Sequence, residues 1–176
     1  MMKWLLAGFI LLLGGCAQQG NPKEVNVKMY NPDGDSLGTI KVQEQSKGVA
    51  FDIKLSGIES GEHAIHIHEK GKCAAPDFKS AGDHYNPDDK KHGLLHPEGA
   101  HAGDLPNLIV SDDGSTKAKL TAPQVTLKEG KTSLFTMAGT SLVIHERKDD
   151  GMTQPAGDSG QRIACGEISG KNKTKR

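Results

Sequence analysis

From Glu24 onward, apolar and polar residues alternate in short runs separated by turn residues. Val25-Asn26-Val27-Lys28-Met29-Tyr30 is a clear case, and Asn31-Pro32-Asp33-Gly34-Asp35 comes after it as a turn. A period of two puts successive side chains on opposite faces of a strand, one suited to a core and one to water. The same reading gives strands at 37–42, 49–55, 65–68, 107–110, 118–121, 134–137, 142–145 and 162–168. No stretch beyond residue 23 carries an apolar stripe of helical period and useful length. Short strands punctuated by Gly, Asp, Asn and Pro predict an all-β fold, an antiparallel sandwich or barrel. Two polar segments, 70–106 and 146–161, interrupt the rhythm. Long irregular loops in a compact domain usually carry function.

The first residues have a different pattern. Lys3 precedes an apolar run at 4–13 that is too short to span a bilayer alone. Leu13-Gly14-Gly15-Cys16 resembles a bacterial lipobox. That resemblance makes 1–15 a lipoprotein signal peptide and Cys16 the lipidated new N-terminus. Residues 16–23 are then a tether, 24–170 the domain and 171–176 a basic tail. An ordinary signal peptide cut nearby would leave Cys16 incidental. Either way the chain is exported, and with the lipid it is anchored to the membrane, facing outside the cytoplasm. Of three cysteines, Cys73 and Cys165 then remain as an even pair in an oxidising compartment. They form either two buried thiols or one bridge, and a bridge closing so long a loop contributes ~4–5 kcal/mol in the chain-entropy model.

Composition narrows the function. Hydrophobic residues make up 35%, and part of that lies in the leader, so the core is modest and calls for a disulfide or metals. Twenty-two basic and 22 acidic residues cancel, which excludes a broad basic field. Trp4 is the single tryptophan and aromatics are 4%, leaving no stacking platform for bases. Nucleic acid is therefore not an expected partner. Nothing in the sequence separates a monomer from a homodimer.

The chemistry lies in the histidines. All eight fall between positions 63 and 145, and seven lie in or beside the first irregular segment. Imidazole suits zinc and copper, and a carboxylate adds a harder ligand. His66-Ile67-His68 on a strand would project two imidazoles from one face. His145 closes another strand and can approach from beside them. His84, His92, His101 and Asp104 offer three nitrogens and one oxygen, the donor set of a closed tetrahedral zinc site. Spacing alone thus supports two metal sites.

Several segments resemble copper/zinc superoxide dismutases. Gly61-Glu62-His63-Ala64-Ile65-His66-Ile67-His68-Glu69 resembles the copper signature, and Ala81-Gly82-Asp83-His84-Tyr85-Asn86-Pro87 the segment of the metal-bridging histidine. His92-Gly93 and His101-Ala102-Gly103-Asp104-Leu105-Pro106-Asn107 resemble the zinc loop. His145-Glu146 with Asp149-Asp150 resembles the last copper ligand and the residues just beyond it. Gly160-Gln161-Arg162-Ile163-Ala164-Cys165-Gly166 resembles the segment of the active-site arginine and disulfide cysteine. The resemblance spans about 24–169 and implies an eight-stranded antiparallel Greek-key barrel with two long functional loops. It implies copper on His66, His68, His84 and His145, zinc on His84, His92, His101 and Asp104, and His84 as a shared imidazolate. Asp149 would accept hydrogen bonds from one histidine of each site. Cys73 would pair with Cys165, and His63 would be structural. Arg162 would bind a small anion beside copper, and His84 would supply a proton. The implied reaction is dismutation of superoxide to oxygen and hydrogen peroxide by copper redox cycling, protecting the cell envelope.

Two departures stand out. Ala64 replaces the usual glycine between the first histidines, and its methyl is expected to shift the strand slightly. The glutamate pair and lysine of the animal enzymes' guidance loop are not evident in 146–161, where Pro155-Ala156-Gly157 precedes Asp158-Ser159-Gly160.

Overall fold

The computed structural model describes residues 23–169. The segment expected to be a signal peptide, Cys16 and the basic tail lie outside the described residues, as does the expected tether except Lys23.

Alternation builds the strands. They are β1 (Glu24–Tyr30), β2 (Ser36–Gln45), β3 (Gly48–Ser56), β4 (Gly61–His63), β5 (Ile65–His68), β6 (Leu108–Val110), β7 (Ser115–Ala122), β8 (Thr140–His145) and β9 (Arg162–Ile168). The one helical element among the described residues is a 3-10 turn, Lys79–Ala81. Seven strands form an antiparallel sheet in the order β5-β8-β9-β1-β2-β3-β7, and β4 pairs with β6. The inward residues of the sheet, among them Val27, Met29, Ile40, Val42, Phe51, Ile53, Ile65, Ile67, Leu142 and Ile144, are fully buried in one core.

The strands agree with the sequence pattern except at two places. Residues 134–137 form no strand, although Leu134 is buried. Their backbone is used in local turns, with Leu134 N–H donating to Thr126 O and Thr140 Oγ1 donating to Leu134 O. The run 61–68 divides at Ala64, where β4 leaves one partner and β5 takes another, so nine strands make eight extended runs. Ala64 is fully buried, and its N–H and C=O bond to Arg147 O and His145 N–H. The residue in place of glycine thus sits where the strand changes sheets.

β5 is an edge strand, and the first long loop covers it. Ile67 N–H donates to Gly103 O at 2.8 Å, and Ile67 O accepts from Tyr85 N–H at 2.8 Å. Glu69 N–H donates to Asp83 O, and Gly103 N–H to Tyr85 O. A side chain at 103 would run its Cβ into Ile67 O. Gly103 is therefore required by close backbone approach. Covering the edge satisfies its backbone and seats His84 and Asp104 beside His66 and His68. A disulfide, Cys73–Cys165, ties the start of this loop to β9.

Candidate metal centre

The alternation of β5 decides which side chains meet. Ile65 and Ile67 enter the core, so His66 and His68 point out together, both fully buried under the loop. His145 ends β8 at a register shift between Ile144 and His145, a bulge that aims its ring toward the pair. The ring centroids of His66 lie 4.9 Å from His145 and 4.0 Å from His84.

Two groups of potential ligands result, and His84 belongs to both. Histidines 66, 68, 84 and 145 form one, and His84, His92, His101 and Asp104 the other; in each, the donor atoms lie within 4.8 Å of one another. In the second group three Nδ1 atoms converge on one carboxylate oxygen. Asp104 Oδ1 lies 2.9 Å from His84, 3.1 Å from His92 and 3.3 Å from His101. Tetrahedral zinc with bonds of about 2.0 Å places its ligands about 3.3 Å apart, so the spacing fits. Asp104 Oδ2 accepts the N–H groups of Gly93 and His101, which fixes the carboxylate.

The opposite nitrogen of each ring explains which one is bare. His66 Nε2 donates to Asp149 Oδ2 at 2.9 Å, His68 Nδ1 to Gly82 O at 2.9 Å, and His145 Nδ1 faces Gly160 O and Ser159 Oγ. An acceptor on one side selects the tautomer and leaves a lone pair on the other. Among the described residues, five buried side-chain nitrogen or oxygen atoms lack a hydrogen-bond partner within the protein. All five are here: His66 Nδ1, His68 Nε2, His84 Nε2, His101 Nδ1 and His145 Nε2. Buried polar atoms without partners are costly, and a metal removes the cost.

Electrostatics match. Burial and neighbouring His84 push His68 well below the usual imidazole range, and burial with His66 and His84 does the same to His145. Arg162 adds to both effects. Burial brings His84 to about 4 against the pull of Asp104. These rings are neutral at pH 7, the ligating form. His92 goes the other way. Burial would lower it, but Asp104 and Asp149 on its two sides carry it up to about 9. Burial opposes ionisation of Asp104, yet His101, His84, His92 and the Gly93 N–H hold its carboxyl far below the usual range. Asp149 is likewise held down, against burial, by His66, His92 and the Gly151 N–H.

Asp149 joins the two groups, since Oδ2 takes His66 and Oδ1 takes His92 Nε2 at 3.0 Å. Sequence reasoning missed the groups that hold it. Asn107 exchanges two hydrogen bonds with the Asp149 backbone, each 2.9 Å. A side chain at Gly157 would drive its Cβ into Asp149 Oδ1. Gln154, which bonds both backbone groups of His92, and Ser159 were missed too. Asn107 ends the zinc-loop motif, but its partner is 42 positions away.

Arg162 is half-buried, and two of its N–H groups are committed to Phe78 O and Gly82 O, both at 2.8 Å. His63 belongs to neither group; its nitrogens face His145 O and Glu59 O. His96 lies outside both groups, its Nδ1 accepting from Glu98 N–H.

The family model described as copper/zinc superoxide dismutase matches residues 36–168. Superoxide dismutase (Cu-Zn) 2 of Aquifex aeolicus is 45% identical over 166 residues, covering 93% of this chain and 96% of its own. A crystal structure of a SOD-like protein from Bacillus subtilis is 38% identical with a TM-score of 0.79, covering 84% of this chain and 99% of that one. The Cu/Zn superoxide dismutase from Brucella abortus is 32% identical with a TM-score of 0.68, covering 83% and 99%. The chain therefore belongs to the copper/zinc superoxide dismutase family, using copper and zinc to convert superoxide into oxygen and hydrogen peroxide.

Proposed function

We propose that His66, His68, His84 and His145 hold the copper, that His84, His92, His101 and Asp104 hold the zinc, and that the enzyme works outside the cytoplasm on a lipid anchor at Cys16. The observation that carries the ligand assignment is the set of five bare, buried imidazole nitrogens, with His84 offering Nε2 to one group and Nδ1 to the other.

Copper supplies the one-electron chemistry, and zinc, which has no redox chemistry, supplies fixed charge. Two superoxide anions and two protons give one oxygen and one hydrogen peroxide. The protein's own residues bind, orient and move protons. Asp149 fixes His66 and His92 in the tautomers that present Nδ1 to the metals. Gly82 O does the same for His68 and also fixes Arg162. Arg162 keeps its charge at any working pH and attracts a small anion. His84 Nε2 is the atom at which one of the two protons is held and given to the departing peroxide. Its Nδ1 side keeps the ring in place.

Export is supported by the leader sequence, by the lipobox-like residues 13–16 and by the disulfide. The corresponding role is protection of the envelope from superoxide arising outside the cytoplasm. A non-catalytic reading is the alternative, because a solved relative is named only SOD-like. Against it, every donor position of both groups is filled here.

Metal analysis alongside a dismutase assay tests the assignment. His145→Ala should abolish dismutation while zinc stays at one equivalent. Retained activity would show the copper set to be wrong, and a fully metallated parent without activity would sink the enzyme. Cys16→Ala should move the protein from the membrane to the soluble fraction; unchanged fractionation would refute the anchor.

A further inference from the structure

A net charge of zero leaves room for a local excess of lysine on one face. Five lysines, Lys28, Lys41, Lys54, Lys117 and Lys119, occupy outward positions on β1, β2, β3 and β7. The register lays them in two adjacent rows. One runs Lys28, Thr39, Lys54, Lys117, and the next runs Asn26, Lys41, Asp52, Lys119. Two ion pairs touch the face, with Glu24 3.0 Å from Lys41 and Asp52 3.9 Å from Lys54. Asp113 also attracts Lys117, and Asp52 stands opposite Lys41 and Lys119, so the five lysines outnumber the carboxylates near them without being free of them. Lys28, Lys117 and Lys119 form no ion pair among the described residues.

Solubility does not account for this arrangement. Lys54 and Lys117 are direct cross-strand partners, and like charges so placed destabilise a sheet. Lysine on the edge strand β7 would discourage edge pairing, but Lys28, Lys41 and Lys54 lie on interior strands. The face is also at the other end of the strand order from β5 and β8, which carry the metal-binding histidines.

The chain ends add a second observation. β1 and β9 are antiparallel neighbours with Tyr30 opposite Cys165, so Glu24 and Ile168 point to the same end of the sheet. Cys16 precedes Glu24 by eight residues, a reach of at most about 29 Å. Lys171, Lys173, Lys175 and Arg176 come after β9 in sequence. We infer that the lysine face of β1, β2, β3 and β7 docks on an anionic lipid bilayer, holding the metal centre away from the membrane. This extends the anchoring proposed for Cys16 but does not depend on it, because the attraction acts without a lipid chain.

The test uses the metal-loaded domain starting at Lys23, with its tail and no lipid. All nine strands and the core they enclose lie between Glu24 and Ile168, so this piece carries the whole described fold. Binding is measured to vesicles of phosphatidylglycerol mixed with phosphatidylcholine and to phosphatidylcholine alone. Each near-surface lysine is worth about fivefold in partitioning. The triple variant Lys28→Gln, Lys54→Gln, Lys117→Gln should bind the anionic vesicles roughly 100-fold less tightly. A control triple, Lys70→Gln, Lys79→Gln, Lys131→Gln, removes equal charge from loops and should bind like the parent. Zinc content and circular dichroism check that each variant is folded. No binding by the parent at low salt overturns the proposal, as does equal weakening in both triples. Binding to purified peptidoglycan sacculi without binding to vesicles overturns it as well. Cys16→Ala fractionation reads lipidation alone, so the two ideas fail separately.

Discussion

Asp149→Ala should weaken zinc binding far more than copper binding. The substitution removes the acceptor of His66 Nε2 at 2.9 Å, of His92 Nε2 at 3.0 Å and of the Gly151 N–H at 2.6 Å. It leaves the loop in place, because Asn107 holds the Asp149 backbone rather than its carboxylate. The two histidines differ in what else fixes them. His66 sits on β5, flanked by core residues Ile65 and Ile67 and paired to β8. His92 sits on an irregular loop, held through its backbone by Gln154. Without the carboxylate, the His92 ring is free to put its proton on Nδ1, the nitrogen aimed at Asp104. Partners of this kind are worth 10–100-fold in metal affinity, about 1.4–2.8 kcal/mol. We expect that loss for zinc and less than about threefold for copper. Competition with a chromophoric chelator measures zinc, and a copper-selective chelator measures the other site. Unchanged zinc affinity would refute the reasoning, and so would a copper loss exceeding the zinc loss.

Glu44 offers a pH test away from the metals. Burial would raise its carboxyl, but the Leu127 N–H, Thr126 and Lys128 together hold it below the usual value. A lowered folded value means stability that is present above about pH 4.3 and lost as pH falls through the folded value. Glu44→Gln keeps one acceptor oxygen and loses the charge, so it should cost about 1 kcal/mol at pH 7 and flatten that acid limb; urea midpoints of parent and variant across pH check it, and parallel curves would contradict it. Replacing both Cys73 and Cys165 by serine should cost about 2–5 kcal/mol in urea unfolding. It should also lower activity per bound copper, because Phe78 O and Gly82 O, which fix Arg162, belong to the segment the bridge ties down. Full activity per copper in that variant would show the arginine to be positioned independently.

Most strands were legible because one side of each faces a core, and alternation records that directly. The segment 134–137 misled because Leu134 and Phe135 are apolar for a different reason. They pack against the core from a loop, and no neighbouring strand takes up their backbone. The short β4 was hidden for the opposite reason. Gly61-Glu62-His63 has no apolar alternation, and its pairing with Leu108–Val110 lies more than forty residues away. The residues proposed as ligands stood out because metal chemistry restricts ligands to a few side-chain types, and the structure brings them into two groups.

What spacing could not give is the agreement between the two sites. That depends on groups with no diagnostic residue type. The backbone oxygen of Gly82 serves both His68 and Arg162, and the backbone of Ile67 pins both halves of the loop. The lysine face shows a similar gap between composition and arrangement. Each of its residues is the ordinary polar partner in an alternating strand, and the chain total cancels to zero. Only the register, which sets Lys54 beside Lys117 and Thr39 between Lys28 and Lys54, turns scattered charges into a surface. Charge totals therefore exclude a uniformly basic protein but not a basic face. The zero net charge rules out a broad basic field without ruling out the anionic bilayer that this face fits.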